Sequence, residues 1–305
     1  MPRSSRPVAV AALLTVLASA QSPVIVPNGY AATEAANENG FPWDRNWESM
    51  HIQFVHDSVN FTNQSISGPI LIQAIAYRAD DTTASWSGGS WPNVHIEMAT
   101  CPTDYTAVAS TFALNLDLDR SIVHDGPVNV LPGTGNGIGV PGPIYVRIPL
   151  LTPFFYDPSA GKDIVVDIQL DGTGWSGQST SSDYADTFGP FIPLCSRIWN
   201  PNSADAPSGY VDVDYGPVCE FTYVTAPALY AHFGVTVNSA PSPMTVNFVD
   251  LTYTDDPGGV VAWAWDFEND GTIDSTAQNP THTFASCGTY DVALTAFDST
   301  HPPHT

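Results

Sequence analysis

Trp263-Ala-Trp265-Asp266-Phe267-Glu268-Asn269-Asp270-Gly271, closed by Asp274, is the stretch that decides the fold of the C-terminal part of this chain. Val261, Trp263, Trp265 and Phe267 alternate with smaller or polar residues. Period two over seven residues describes a half-buried strand, because successive side chains of a strand point to opposite faces. Upstream, Val246, Phe248 and Leu251 lead into an acidic turn at Asp255-Asp256-Pro257-Gly258-Gly259. Downstream, Tyr290, Val292, Leu294 and Ala296 alternate again. Two apolar faces at this spacing imply packed sheets.

Three motifs in order carry a family resemblance: Trp265-Asp266-Phe267 with Asp270-Gly271, then Asn279-Pro280-Thr281-His282-Thr283-Phe284, then Gly288-Thr289-Tyr290. Over about residues 236–300 the chain resembles the polycystic kidney disease (PKD) repeat, an immunoglobulin-like β-sandwich. Glu268-Asn269 replaces the single glycine usual in that family, which lengthens the turn by one residue. The resemblance implies an extracellular spacer or binding module. The family pattern carries no catalytic residues.

Residues 41–235 repeat the same kind of signal at lower contrast. Ile70–Tyr77, Val94–Met98, Ile144–Ile148 and Ile164–Leu170 are short apolar runs between Pro, Gly, Ser and Asp clusters. Many of the 27 prolines sit in those connections, where they suit turns and strand edges but not long helices. The expected fold class is all-β: a β-sandwich or jelly-roll-like domain over 41–235, then an immunoglobulin-like sandwich over 236–305. Gly68-Pro-Ile-Leu-Ile, Met98-Ala-Thr-Cys101-Pro and Phe154-Phe-Tyr-Asp-Pro158 resemble an uncharacterised secreted bacterial β-domain that recurs beside PKD modules, with no activity attached.

Arg3 and Arg6 precede the short apolar run Val8–Leu17, and Ala18-Ser19-Ala20 fits a small-residue cleavage site. Residues 1–20 therefore read as a signal peptide, and the chain as secreted or held at the cell surface. No later segment resembles a transmembrane span. Residues 21–40 read as a disordered, Ala-rich leader.

The chain carries 8 basic and 31 acidic residues, a net charge of −23. That balance excludes nucleic acid and anionic membrane as partners held through a basic patch. Cations or neutral polymers fit better.

The cysteines are Cys101, Cys195, Cys219 and Cys287. An exported chain permits disulfides, and four cysteines allow three pairings; spacing favours Cys195 with Cys219.

Three groups of residues are candidate sites. Trp86-Ser-Gly-Gly-Ser-Trp91, with Trp175 and Tyr184 in a second polar loop, either stacks on sugar rings or folds back to cap the sandwich. Asp266, Glu268, Asp270 and Asp274 match the ligand positions in the first nine residues of a calcium loop, but Ala277 replaces the twelfth-position Glu. They make either a weak calcium site or a tight acidic turn. His95 and Glu97 share a strand face and, with His51, His56 or Asp57 nearby, make either an acid/base or metal site or a solvated sheet surface. No Gly-x-Ser-x-Gly or His-Glu-x-x-His motif occurs. The resulting expectation is an exported, non-catalytic protein for adhesion, matrix or polysaccharide contact. The alternatives are an extracellular, glycosidase-like hydrolase with a PKD accessory module, and a structural envelope component.

Overall fold

A computed structural model describes residues 21–35, 37–44, 49–237, 244–286 and 288–305. The signal peptide expected at 1–20 and Cys287 lie outside the described residues. Strands make up 49% of the chain and helix 5%, so the expected all-β class holds.

The N-terminal part is organised on one long antiparallel sheet. Its strands run in the order Ser22–Val26, Cys219–Thr225, Ile70–Arg78, Ile144–Tyr156, Ser121–Val130, Gly88–Thr100, Ile164–Asp171, Ser49–His56, Cys195–Asn200 and Tyr210–Val213. Between Ile144–Tyr156 and Ser121–Val130 only one position pairs, Val130 with Val146. The sheet curls over on itself, as long twisted sheets do. Val24, Ile72 and Phe221 from one half and Ile52, Ile96 and Ile168 from the other then share one buried core with Trp43. Each such side chain, fully buried, is worth about 1.5–3 kcal/mol relative to exposure.

Ile164–Asp171 is buried on both faces, which explains its near-continuous apolar run. Its second face, with Val165, packs with Val55 and Ile198 against Tyr105 and Phe112. Those two rings stand on short 3-10 turns, Tyr105–Ala107 and Phe112–Asn115. Asp104 caps the first by accepting from the Thr106 amide.

Part of the stretch expected as a leader is strand. Ser22–Val26 pairs with Cys219–Thr225 from Ser22 opposite Tyr223 to Val26 opposite Cys219. Val24, Val26 and Tyr30 are buried. A period-two pair of valines inside a Ser/Pro/Asn-rich stretch is enough to add an edge strand once a partner edge exists. Asn60, the first residue of a glycosylation sequon in form, is also buried; it accepts from the Asn28 amide and donates to the Leu194 carbonyl.

Among the described residues the C-terminal part has a three-stranded sheet, Phe233–Val237, Met244–Asp250, Thr281–Phe284, and a two-stranded sheet, Ala262–Asp266 beside Ala293–Phe297, besides the short pair Leu229–Tyr230 with Tyr253–Thr254. Between them lie Val246, Phe248, Trp265, Phe267, Phe284 and Leu294, with Trp263, Tyr290 and Val292 partly buried. Trp263, Trp265, Phe267, Tyr290, Val292 and Leu294, read as alternating from the sequence, are thus facing side chains of an immunoglobulin-like sandwich; Val261 lies just before the strand and is exposed.

Candidate functional site

The structure draws the first aromatic group into the core. Trp86, Trp91 and Tyr184 are all buried. Trp86 Nε1 donates to the Leu131 carbonyl at 2.7 Å, and Trp91 Nε1 to the Trp43 carbonyl at 3.3 Å. Trp175 is partly buried, its ring centroid 4.5 Å from that of Trp91. The Tyr184 hydroxyl donates to the Phe41 carbonyl at 3.0 Å. Trp86, Trp91 and Tyr184 therefore lie in the core, and Trp175 packs partly against it. The glycines between the two tryptophans mislead: they mark close approach rather than flexibility. A Cβ on Gly88, whose φ is +75°, would lie 2.5 Å from the Val130 carbonyl oxygen, and one on Gly89 2.1 Å from that of Ser176. The stretch is strand, paired on both sides.

The acidic turn brings three of its four carboxylates together. Oxygens of Asp266, Glu268 and Asp274 lie within 4.8 Å of one another. Asp270 accepts instead from the Thr272 amide at 2.8 Å. Asp266 is buried and accepts from the amides of Asp270, at 3.1 Å, and Gly271, at 2.7 Å. Asp274 accepts from the Phe267 amide at 2.8 Å. Asp266 and Asp274 thus cap the turn from within, while Glu268 faces His282 at 3.4 Å.

Cys195 and Cys219 are not bonded to one another; both are free, buried thiols, as is Cys101. Burial pushes all three above the usual thiol range. His95 and Glu97 lie 3.5 Å apart, but Glu97 is held by Arg120 at 2.6 Å on the solvent side. That is a solvated sheet face.

His51, offered by the sequence as a companion of His95 and Glu97, instead pairs with a residue the sequence did not single out: Asp167, 116 residues away and 3.0 Å from it in a buried dyad. The other ring nitrogen of His51 lies 2.7 Å from the Ala206 carbonyl, and Gln53 donates to Asp167. Both ring nitrogens are taken, so the dyad and Gln53 tie the Ala206 turn to the back of the sheet.

A pocket opens at the far sheet edge. Tyr210–Val213 is the last strand, paired only with Cys195–Asn200. A pocket of about 510 Å³ lies between this edge and the turn at Asp186–Phe188. Beneath it, Arg197 is buried in an aromatic box, its guanidinium carbon 4.5 Å from the ring centre of Tyr215 and 5.0 Å from that of Trp199. Arg197 Nε and Nη2 and Trp199 Nε1 all donate to Asp212 Oδ2, at 3.1, 2.8 and 2.8 Å. That orients the Asp212 carboxylate, whose side chain keeps 39% of its surface exposed. Asp186 is fixed likewise by the Phe188 and Gly189 amides, at 2.8 and 3.1 Å, and by the Asn37 side-chain amide. Asp214 accepts from the Tyr105 hydroxyl at 3.1 Å. On the rim the Phe188 ring is 90% exposed. No sequence signal separated this phenylalanine from the core aromatics.

Among the described residues no helix is long and apolar enough to cross a membrane. No curated protein matches the chain. A family model described as PKD domain matches residues 232–304, and the C-terminal sandwich, with its Trp265-Asp266-Phe267 strand and Asn279-Pro280 turn, is a PKD domain.

Proposed function

We propose that the chain is an exported, non-catalytic cell-surface protein that holds a neutral polysaccharide in the pocket beside Tyr210–Val213. The observation that carries this reading is the solvent-exposed Phe188 ring beside three pre-oriented carboxylates, Asp186, Asp212 and Asp214. An exposed flat ring stacks on the apolar face of a sugar. Fixed carboxylates accept from its hydroxyls, and because other side chains and amides already hold them, little is lost in ordering them on binding. The net charge of −23 favours a neutral polymer over a polyanion. PKD domains are usually extracellular, and the one at 232–304 suits a spacer that presents the N-terminal domain.

The test is the purified full chain on an array of neutral and acidic glycans, beside a panel of glycosidase substrates. The expected result is retention on neutral glycans with no turnover. Binding confined to acidic glycans, or turnover of any substrate, overturns it.

A further inference from the structure

A second acidic cluster lies where the N-terminal segment crosses the sheet. Glu34 comes from the turn after Ser22–Val26, Asp80 and Asp81 follow Ile70–Arg78, and Asp183 lies in Ser182–Ala185. Backbone pairing fixes the meeting point: the Asp80 amide donates to the Ser181 carbonyl at 3.0 Å, and Ala79 bridges Ser182. The nearest cation, Arg78, is spoken for. It is buried and donates through Nε to Asp183 Oδ2, and through Nη1 and Nη2 to the carbonyls of Tyr30 and Thr33.

What remains is acceptors without donors. Both carboxylate oxygens of Glu34 are buried and have no hydrogen-bond partner. Asp183, with 0% exposure, has Oδ1 unpaired, while its carboxylate draws on the Ala35 amide and meets the Glu34 carboxyl. Glu34 and Asp183 press against each other, and Asp80 lies in the field of Asp183. Among the four carboxylates, the Arg78 guanidinium acts on Glu34 and Asp183. Buried acceptors left unpaired are rare in folded proteins, and those that persist commonly mark an ion or a water.

We propose that Glu34, Asp80 and Asp81, with Asp183 beside them, form a calcium site that ties the N-terminal segment to the sheet. Oxygens of Glu34, Asp80 and Asp81 lie within 4.8 Å of one another. Two oxygens on opposite sides of a calcium ion are separated by about 4.6–5.2 Å, so one ion reaches all three. The donor set is oxygen alone, which selects a hard cation, and its carboxylate richness favours calcium over the water-retaining magnesium.

The full chain, stripped with chelator, is titrated with calcium at constant ionic strength and followed by calorimetry and by thermal melting. One ion binds with a dissociation constant on the order of 1 mM or tighter, and the melting temperature rises. Glu34→Gln and Asp80→Asn each weaken binding at least tenfold, while Asp266→Asn, in the separate acidic turn, leaves it unchanged. On the wild-type chain alone, calcium slows protease cleavage within residues 27–40, and magnesium at the same concentration does not. Absence of heat and of a melting shift at 10 mM calcium overturns the proposal. So does undiminished binding in Glu34→Gln and Asp80→Asn, or a cleavage rate indifferent to calcium.

Discussion

Acidification should weaken the N-terminal domain through His56. This residue ends the strand Ser49–His56, is 1% exposed, and sits between Ile164 and Cys195 in the sheet. Its Nδ1 has no partner, its Nε2 lies 3.8 Å from Cys219 Sγ, and its ring meets Phe221 edge-on at 5.9 Å. No carboxylate touches it, so burial alone pushes its pKa from 6.5 down to about 3. The folded state keeps the ring neutral, whereas the unfolded chain takes up a proton below about 6.5. The stability His56 contributes is therefore complete above that value and is lost as pH falls from 6.5 towards 3. At about 1.36 kcal/mol per pKa unit, the step from pH 7.5 to pH 5 removes about 2 kcal/mol.

Glu34 and Asp80 act in the opposite sense, since their raised pKa values make the folded state the better proton acceptor. The measurement is therefore a difference. Urea unfolding of wild type and His56→Leu is followed at pH 7.5 and pH 5, with chelator in both. Groups common to the two proteins cancel, and the variant should gain about 2 kcal/mol on wild type between the two pH values. Parallel pH profiles would refute the reasoning.

The thiols of Cys101, Cys195 and Cys219 should resist alkylation in the native chain and react after denaturation without reductant. A Cys195–Cys219 disulfide-linked peptide in a non-reducing digest would contradict this. Asp266→Ala strips the acceptor from the Asp270 and Gly271 amides and should destabilise the PKD domain by about 2–4 kcal/mol, equally with calcium and with chelator. A loss confined to calcium-loaded protein would make the turn a cation site rather than a scaffold.

The parts of the fold that could be read from sequence were those whose signal is local. Trp263, Trp265 and Phe267 alternate because one strand face is buried, and period two survives without knowledge of the partner strand. What could not be read depends on partners distant in sequence. Gly88 and Gly89 are glycine because strands forty or more residues away press on them, yet in the sequence they look like a flexible turn. Val24 and Val26 look like a leader until the edge of Cys219–Thr225 is in place. The four residues of the Glu34 cluster come from three segments spread over 149 positions, with no motif to join them. The pocket failed for a different reason. Phe188 and Tyr184 are four positions apart in similar polar surroundings, yet one is exposed and the other fully buried. Only the Asp186 turn, which holds the Phe188 and Gly189 amides, turns that ring outward.

The most direct test of the polysaccharide reading is retention of the full chain on immobilised neutral polysaccharide, wild type beside Phe188→Ala. The ring is 90% exposed, so its loss should leave the melting temperature within about 0.5 kcal/mol equivalent of wild type. One stacking contact at a binding surface is worth roughly 0.5–1.5 kcal/mol beyond its buried area, so affinity should fall by about tenfold. Equal retention of Phe188→Ala and wild type, or no retention of either, would contradict the account.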